Sequence, residues 1–294
     1  MSTIDFLGIG AQKAATSWLW KNLNAHQEIW MPPRKELHYF DRSLHYPSPS
    51  FLASDSILTR LFSQQEHNRL FRQKAKKELL DVYRSGDRER LKWYLKYFGS
   101  HYSDRWYESL FTGGGTRLKG EITPAYSILS IEDIKNIKTL SPDLKIILII
   151  RDPIERAWSQ VKFYATRDIF GINAMQDDIE ALKGFIDSPR QSMRSDYMGM
   201  IENWSSVFGS EQMHIGFYDD IKNDPEHFLD EVYTFLGIKR VDPNRVAQAK
   251  KVVNKSNDLE MPSEIRAYLH QKYDEDIETM SKKFKKEFIR GWLK

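Results

Sequence analysis

Six residues, Lys145-Ile146-Ile147-Leu148-Ile149-Ile150, run between Pro142 and Pro153 with no polar side chain after the first. A run this short falls far below the roughly 20 apolar residues that a membrane-spanning helix needs. It also lacks the alternation that would leave one face wet. It therefore predicts a strand buried on both faces, as in parallel sheets covered by helices. Other segments agree. Ile4–Gly10 is apolar, brief and ended by glycines, which reads as a strand. Thr16–His26 follows as a helix, with Trp18, Leu19 and Leu23 at helical spacing. Glu28–Met31 reads as a strand stopped by Pro32 and Pro33. Met213–Tyr218 reads as another strand, and Pro225–Leu236 as a helix closed by Gly237. Strands alternating with helices predict an α/β fold, three layers α/β/α around a central parallel sheet.

With 294 residues the chain can bury one large core, and residues 1–294 are expected to form a single domain with a helical insertion at 42–105. That insertion opens with Pro47 and Pro49. It carries a basic, helix-prone stretch (Arg69–Arg84) and an aromatic group, Trp93, Tyr94, Tyr97, Phe98 and Tyr102. The aromatics either pack the insertion onto the core or line an acceptor pocket. Pro262–Phe284 reads as a charged covering helix. A net charge of +3 is too small to imply a nucleic-acid partner, so any electropositive site must be local. Cysteine is absent, which excludes disulfides, a thiolate nucleophile and a zinc–thiolate site, and suits a reducing cytoplasm. Met1–Asp5 lacks the basic and apolar regions of a leader, and no transmembrane segment is expected. Oligomeric state is not legible.

Two anion-ready turns stand out. The first, Gly8-Ile9-Gly10-Ala11-Gln12-Lys13-Ala14-Ala15-Thr16-Ser17-Trp18, joins a strand to a helix. Such a turn presents backbone N–H groups and the positive end of a helix dipole. Lys13 adds a mobile cation, and Thr16 and Ser17 add hydroxyls. The second, Arg151-Asp152-Pro153-Ile154-Glu155-Arg156-Ala157-Trp158-Ser159, follows the Lys145–Ile150 strand, with Pro153 placed where a first helical turn accepts it. Together they suggest one ligand with two separated anionic groups. A nucleotide P-loop fits less well: the residue before Lys13 is not glycine, the hydroxyls come third and fourth after it, and Arg151 stands where a magnesium-binding acid would be. In a dinucleotide fingerprint, Lys13 would occupy the third glycine position.

These turns, with Lys35-Glu36-Leu37-His38-Tyr39-Phe40-Asp41 and Gly120-Glu121-Ile122-Thr123-Pro124-Ala125-Tyr126, resemble the sulfotransferases that use 3′-phosphoadenosine-5′-phosphosulfate (PAPS). The likeness is closer to the carbohydrate branch that includes the heparan sulfate enzymes and bacterial relatives. Ser195-Asp196-Tyr197, Trp204, Phe208, Asp224-Pro225 and Phe235-Leu236-Gly237 continue it in order, and only the 42–105 insertion lies outside it. The resemblance implies a P-loop-like sulfotransferase fold, PAPS as donor and PAP as product. It implies that Lys13, Ala14, Ala15, Thr16, Ser17 and Trp18 hold the 5′-phosphosulfate, with Lys13 helping the phosphate leave. Arg151 and Ser159 would bind the 3′-phosphate, Tyr197 would assist there or at the adenine, and Lys250, Lys251, Asn254 and Lys255 would close the site. The family loop often has glycine where this chain has Ala14 or Ala15, so the backbone approach is expected to differ slightly.

Glu36 matches the carboxylate that serves as general base in the heparan-type enzymes, and His38 is the competing base. If their segment is extended, both point to one side. Thr123 and Tyr126 are expected at the acceptor. Glu121 belongs there or holds a neighbouring loop. Arg156 reads as a helix-surface or salt-bridging residue outside the site. No metal is expected: the histidines show no paired ligand spacing. The expected reaction is sulfuryl transfer to a hydroxyl of a small or carbohydrate-like acceptor. The rivals are an ATP-dependent phosphotransferase and a catalytically silent PAPS-binding module.

Overall fold

A computed structural model of the chain describes residues 4–47, 50–166, 178–239 and 259–294. Its strands are β1 (Phe6–Gly10), β2 (Ile29–Trp30), β3 (Leu118–Ile122), β4 (Lys145–Ile150) and β5 (Met213–Phe217). They form one parallel sheet in the order β2-β3-β1-β4-β5. This is the predicted α/β architecture with a central parallel sheet. Every residue of β4 after Lys145 is buried, as its unbroken apolar run requires.

The chain divides into two compact units, Met1–Ile9 with Trp20–Ile146 and Gly10–Leu19 with Ile147–Lys294, and the division passes through β1 and β4. In the first unit β1 lies against β3 with Phe6 opposite Gly120 and Gly8 opposite Ile122, and β2 pairs Ile29 with Leu118. Gly120 is obligatory: a Cβ there would sit 2.3 Å from the Phe6 ring. The insertion folds as α2 (Ile57–Phe62), α3 (Glu66–Ser85), α4 (Arg88–Gly99) and α5 (Asp104–Ser109), and α6 (Ile131–Leu140) precedes β4. Gly86 ends α3 in the left-handed conformation (φ 73°) and Asp87 caps α4 by accepting from Arg90 N at 2.9 Å. All five aromatics singled out in the sequence are buried, with Trp93 stacked on Tyr97 at 5.3 Å. They pack rather than line a surface.

α1 (Thr16–Asn24) begins in the second unit. There β4 leads into α7 (Pro153–Thr166), followed by α8 (Ile179–Asp187), α9 (Pro189–Ser192), α10 (Tyr197–Phe208), β5, α11 (Tyr218–Asn223) and α12 (Pro225–Leu236), then α13 (Ser263–Phe284) and α14 (Glu287–Gly291). Gly237 ends α12 with φ 79°, as read from the sequence. Trp204 stacks on Phe208 at 5.8 Å, and Trp18 meets Phe228 edge-on at 6.0 Å. Burying a Leu, Ile or Phe side chain stabilises by about 1.5–3 kcal/mol, so these packed faces stabilise the unit. Among the described residues no helix is long and apolar enough to cross a membrane.

Candidate functional site

β1 is flanked by β3 on one side and β4 on the other. Ligands of open parallel sheets sit beyond the carboxyl ends of strands where the winding reverses in this way. Ala11 N donates to Ile149 O at 2.8 Å, so the turns leaving β1 and β4 start side by side within the second unit. They are also joined directly: Arg151 Nη1 donates to the Lys13 carbonyl at 3.0 Å. The Arg151 guanidinium lies 4.7 Å over the Tyr218 ring, with Glu155 Oε2 at 3.7 Å from its Nη2. Lys13 Nζ lies 4.3 Å over the Phe163 ring.

The first turn is tightly wound. Lys13 has φ 68° and Ala15 φ 59°, left-handed values that cost a residue with a side chain about 1–2 kcal/mol. Ala14 N donates to Ala11 O at 3.3 Å and Leu19 N to Ala15 O at 3.0 Å. Ala14 and Thr16 are buried, Ser17 is half-buried, and Trp18 anchors the helix start in the core. Ala15 thus occupies a position that glycine would fill without strain, which gives physical content to the departure noted in the sequence.

In the second turn the Asp152 carboxylate caps α7 by accepting from Ile154 N at 2.8 Å and Glu155 N at 3.4 Å. Burial pushes its pKa up to about 6, against the pull of those amides and of Arg151. Ser159, two turns along α7, is buried, as is Tyr197 at the start of α10. Arg156 is not a helix-surface residue. It is 0% exposed and donates from Nε to Ser195 Oγ at 2.9 Å and from Nη2 to Gln191 Oε1 at 3.1 Å. It ties α7 to the turn that delivers Tyr197. Lys250, Lys251, Asn254 and Lys255 lie outside the described residues.

The first unit holds the other candidates. Glu36 (φ 65°) and His38 (φ 55°) are also left-handed, so their segment is not extended. The two side chains still converge, His38 Nε2 lying 3.6 Å from Glu36 Oε2. His38 Nδ1–H donates to the buried Asp41 carboxylate at 2.8 Å, and Lys35 pairs with Glu36 from the other side. Burial pushes the Glu36 carboxyl up, but the hydrogen bond from His38 and the charges of Lys35 and His38 outweigh it and hold it well below the carboxylate range. Burial likewise pushes His38 down, and the Asp41 and Glu36 carboxylates override it to about 9. At neutral pH His38 keeps its proton and Glu36 does not.

A buried network enforces this geometry. Glu121 is 1% exposed and accepts from Tyr107 OH at 2.7 Å, Tyr126 OH at 3.0 Å, Thr123 Oγ1 at 2.7 Å and Leu37 N at 3.2 Å. Burial pushes its pKa up and those donors oppose it. Four donors on two oxygens fill an ionised carboxylate. Leu37 N also donates to Thr123 Oγ1 at 3.0 Å, Tyr39 N to Tyr126 OH at 3.0 Å, and Tyr97 OH to Leu37 O at 2.8 Å. The network thus grips the backbone at residues 37 and 39, beside each left-handed residue. Among the described residues only one further non-glycine residue is left-handed, Lys285 at the end of α13. Backbone strain held in place by its surroundings gathers at functional sites, and here it falls in the two segments that carry the candidate chemistry. Glu121, Thr123 and Tyr126 are therefore placed under the Glu36 loop. The sequence assigned no role to Asp41 or Tyr107, and gave Tyr97 only a place in the insertion's aromatic group; their partners are distant in sequence or fixed by an irregular turn.

A family profile described as the sulfotransferase family matches residues 6–243. Mouse heparan sulfate glucosamine 3-O-sulfotransferase 3B1 is 29% identical over 155 residues, covering 48% of this chain and 38% of that protein; the chain therefore matches well under half of that relative's length. A sulfotransferase from Alicyclobacillus acidocaldarius superposes with TM-score 0.63 at 19% identity, covering 99% of each chain. The sulfotransferase domain of the curacin biosynthetic pathway gives TM-score 0.52 at 17% identity, over 91% of this chain and 83% of that one. At these identities the two structures share the fold.

Proposed function

The chain belongs to the sulfotransferase family, and on that footing we propose that it moves a sulfuryl group from PAPS to an acceptor hydroxyl, releasing PAP. The observation that carries this reading is the hydrogen bond from Arg151 Nη1 to the Lys13 carbonyl at 3.0 Å. Two basic turns linked this closely suit one nucleotide with an anion at each end. In this reading Lys13 and the Ala14–Trp18 turn hold the 5′-phosphosulfate. Arg151 and Ser159 hold the 3′-phosphate, where a planar guanidinium can bond two oxygens at once. Tyr197, positioned through Arg156 and Ser195, borders that group.

Glu36 takes the acceptor's proton. The acceptor oxygen forms the new S–O bond while the S–O bond to the 5′-phosphate breaks, and Lys13 meets the charge left on that phosphate. The Asp41–His38 pair orients Glu36; Glu121, Thr123 and Tyr126 act on the acceptor side by holding the Glu36 loop. No metal enters the step. We place the enzyme in the cytoplasm, consistent with its lack of cysteine.

The test is incubation with PAPS and a mixed acceptor library, read by mass spectrometry for gain of one SO₃. Nucleotide affinity is measured in parallel with and without magnesium. Transfer with metal-independent PAPS binding is expected. Magnesium-dependent ATP binding would indicate phosphoryl transfer instead, and PAPS binding without any transfer would indicate a silent module.

A further inference from the structure

The insertion carries a cation that forms no ion pair among the described residues. Lys74, on α3, holds its ammonium 4.2 Å over the Phe51 ring. The same ring lies 5.6 Å from the Arg34 guanidinium and 6.3 Å from the His38 imidazole. Around this one buried phenyl the first unit therefore gathers Arg34, His38 and Lys74. The carboxylates in reach are already engaged. Glu36 is paired with Lys35 and His38, and Asp41 with His38. Glu78, four residues after Lys74 and its natural helical partner, is paired with Arg34. Lys74 makes no ion pair among the described residues. Charges in this cluster come to Arg34, Lys35, His38 and Lys74 against Glu36, Asp41 and Glu78, a surplus of one cation.

We propose that Lys74, backed by Phe51, is an anion subsite for the acceptor beside Glu36, so that the acceptor is a hydroxyl compound bearing a carboxylate, sulfate or phosphate group. This rests on the reading of Glu36 as the base. A half-buried ammonium without a counter-ion is held at a cost that an incoming oxyanion removes. Burial and the Arg34 charge lower its pKa to about 8, while Glu36 opposes them. At neutral pH it thus remains a cation, within electrical reach of Glu36. Glu36 itself is 40% exposed, so an acceptor can reach it. An anionic group on Lys74 would fix one end of the acceptor and present a hydroxyl to the carboxylate. Lys74 lies in the helical insertion, outside the two basic turns read as the donor site.

The test is calorimetry on full-length protein saturated with PAP, titrated with acetate, sulfate or phosphate against a chloride control of equal ionic strength. Wild type is expected to bind at least one of these oxyanions, and the order among them identifies the acceptor's group. Lys74→Met keeps the aliphatic stem and should weaken that binding at least tenfold, while Lys74→Arg retains it. Unaltered PAP affinity in Lys74→Met shows that the variant is folded. Absence of oxyanion binding above the chloride control, or equal binding by wild type and Lys74→Met, overturns the proposal. If PAP itself fails to bind, the donor reading falls, and the same titrations on the Lys13→Ala protein still isolate the contribution of Lys74.

Discussion

Arg151 and Lys13, separated by 138 positions, are joined by a hydrogen bond from a guanidinium to a backbone carbonyl at 3.0 Å. A guanidinium has five N–H donors in a rigid fork, so this bond can set the shape of the Lys13 turn while other edges of the same group meet an anion. The loop that addresses one end of the nucleotide would then be braced by the residue that addresses the other.

Lys13→Ala should remove the cation that meets the departing phosphate. Loss of one such group from an electrostatic site costs about 10²–10³-fold in rate. Single-turnover transfer from PAPS should fall by that much, while PAP affinity falls less. An unchanged rate would remove Lys13 from the reaction.

Glu36→Gln is nearly isosteric and cannot accept the proton. Turnover should drop about 10²–10⁴-fold, with PAP affinity unaltered in calorimetry. His38→Gln should cause a smaller loss, because the imidazole acts through Glu36. Full activity in Glu36→Gln would pass the base role to another group.

His38 also links stability to pH. Its folded pKa, about 9, stands above its ordinary value of 6.5, so its contribution is fully present below pH 6.5 and is lost as pH rises through 9. The stability difference between wild type and His38→Gln, from denaturant titration, should shrink by on the order of 3 kcal/mol across that window. A difference independent of pH would mean that His38 is not held as an ion by Asp41 and Glu36.

Glu121→Gln replaces an oxygen that receives two donors with an amide that must itself donate. Hydrogen bonds to charged groups contribute about 1.5–3 kcal/mol, and a loss of this order is expected in urea titration, together with reduced turnover as residues 37 and 39 lose their grip. Tyr97→Phe removes the bond to Leu37 O alone and should cost about 1 kcal/mol. If neither variant changed turnover, the network would be a stabiliser without bearing on the Glu36 loop.

The elements legible in the sequence are those set by strong local patterning. β4 matches the prediction residue for residue, and α12 ends at Gly237 as its left-handed cap demands. β3 was not legible as a strand. Its Lys119, Gly120 and Glu121 look like loop residues, and Gly120 is there only because the Phe6 ring fills the space of a side chain. The basic turns could be read because strand-to-helix turns carry their chemistry locally. The Glu36 loop could not, since two left-handed residues break any periodicity and are imposed by Glu121, Tyr126 and Tyr97 from far along the chain. Arg156 was misread for a related reason. A charged residue on a helix is usually at the surface, and its burial depends on acceptors at Gln191 and Ser195 that no spacing announces.

The measurement that bears most directly on the account is a calorimetric comparison of adenosine 3′,5′-bisphosphate with adenosine 5′-phosphate, on wild type and on Arg151→Ala. Wild type is expected to prefer the bisphosphate by at least about tenfold, equivalent to 1.4 kcal/mol, and Arg151→Ala to lose that preference. Equal affinity of the wild-type protein for the two nucleotides would contradict the assignment of a doubly anchored donor.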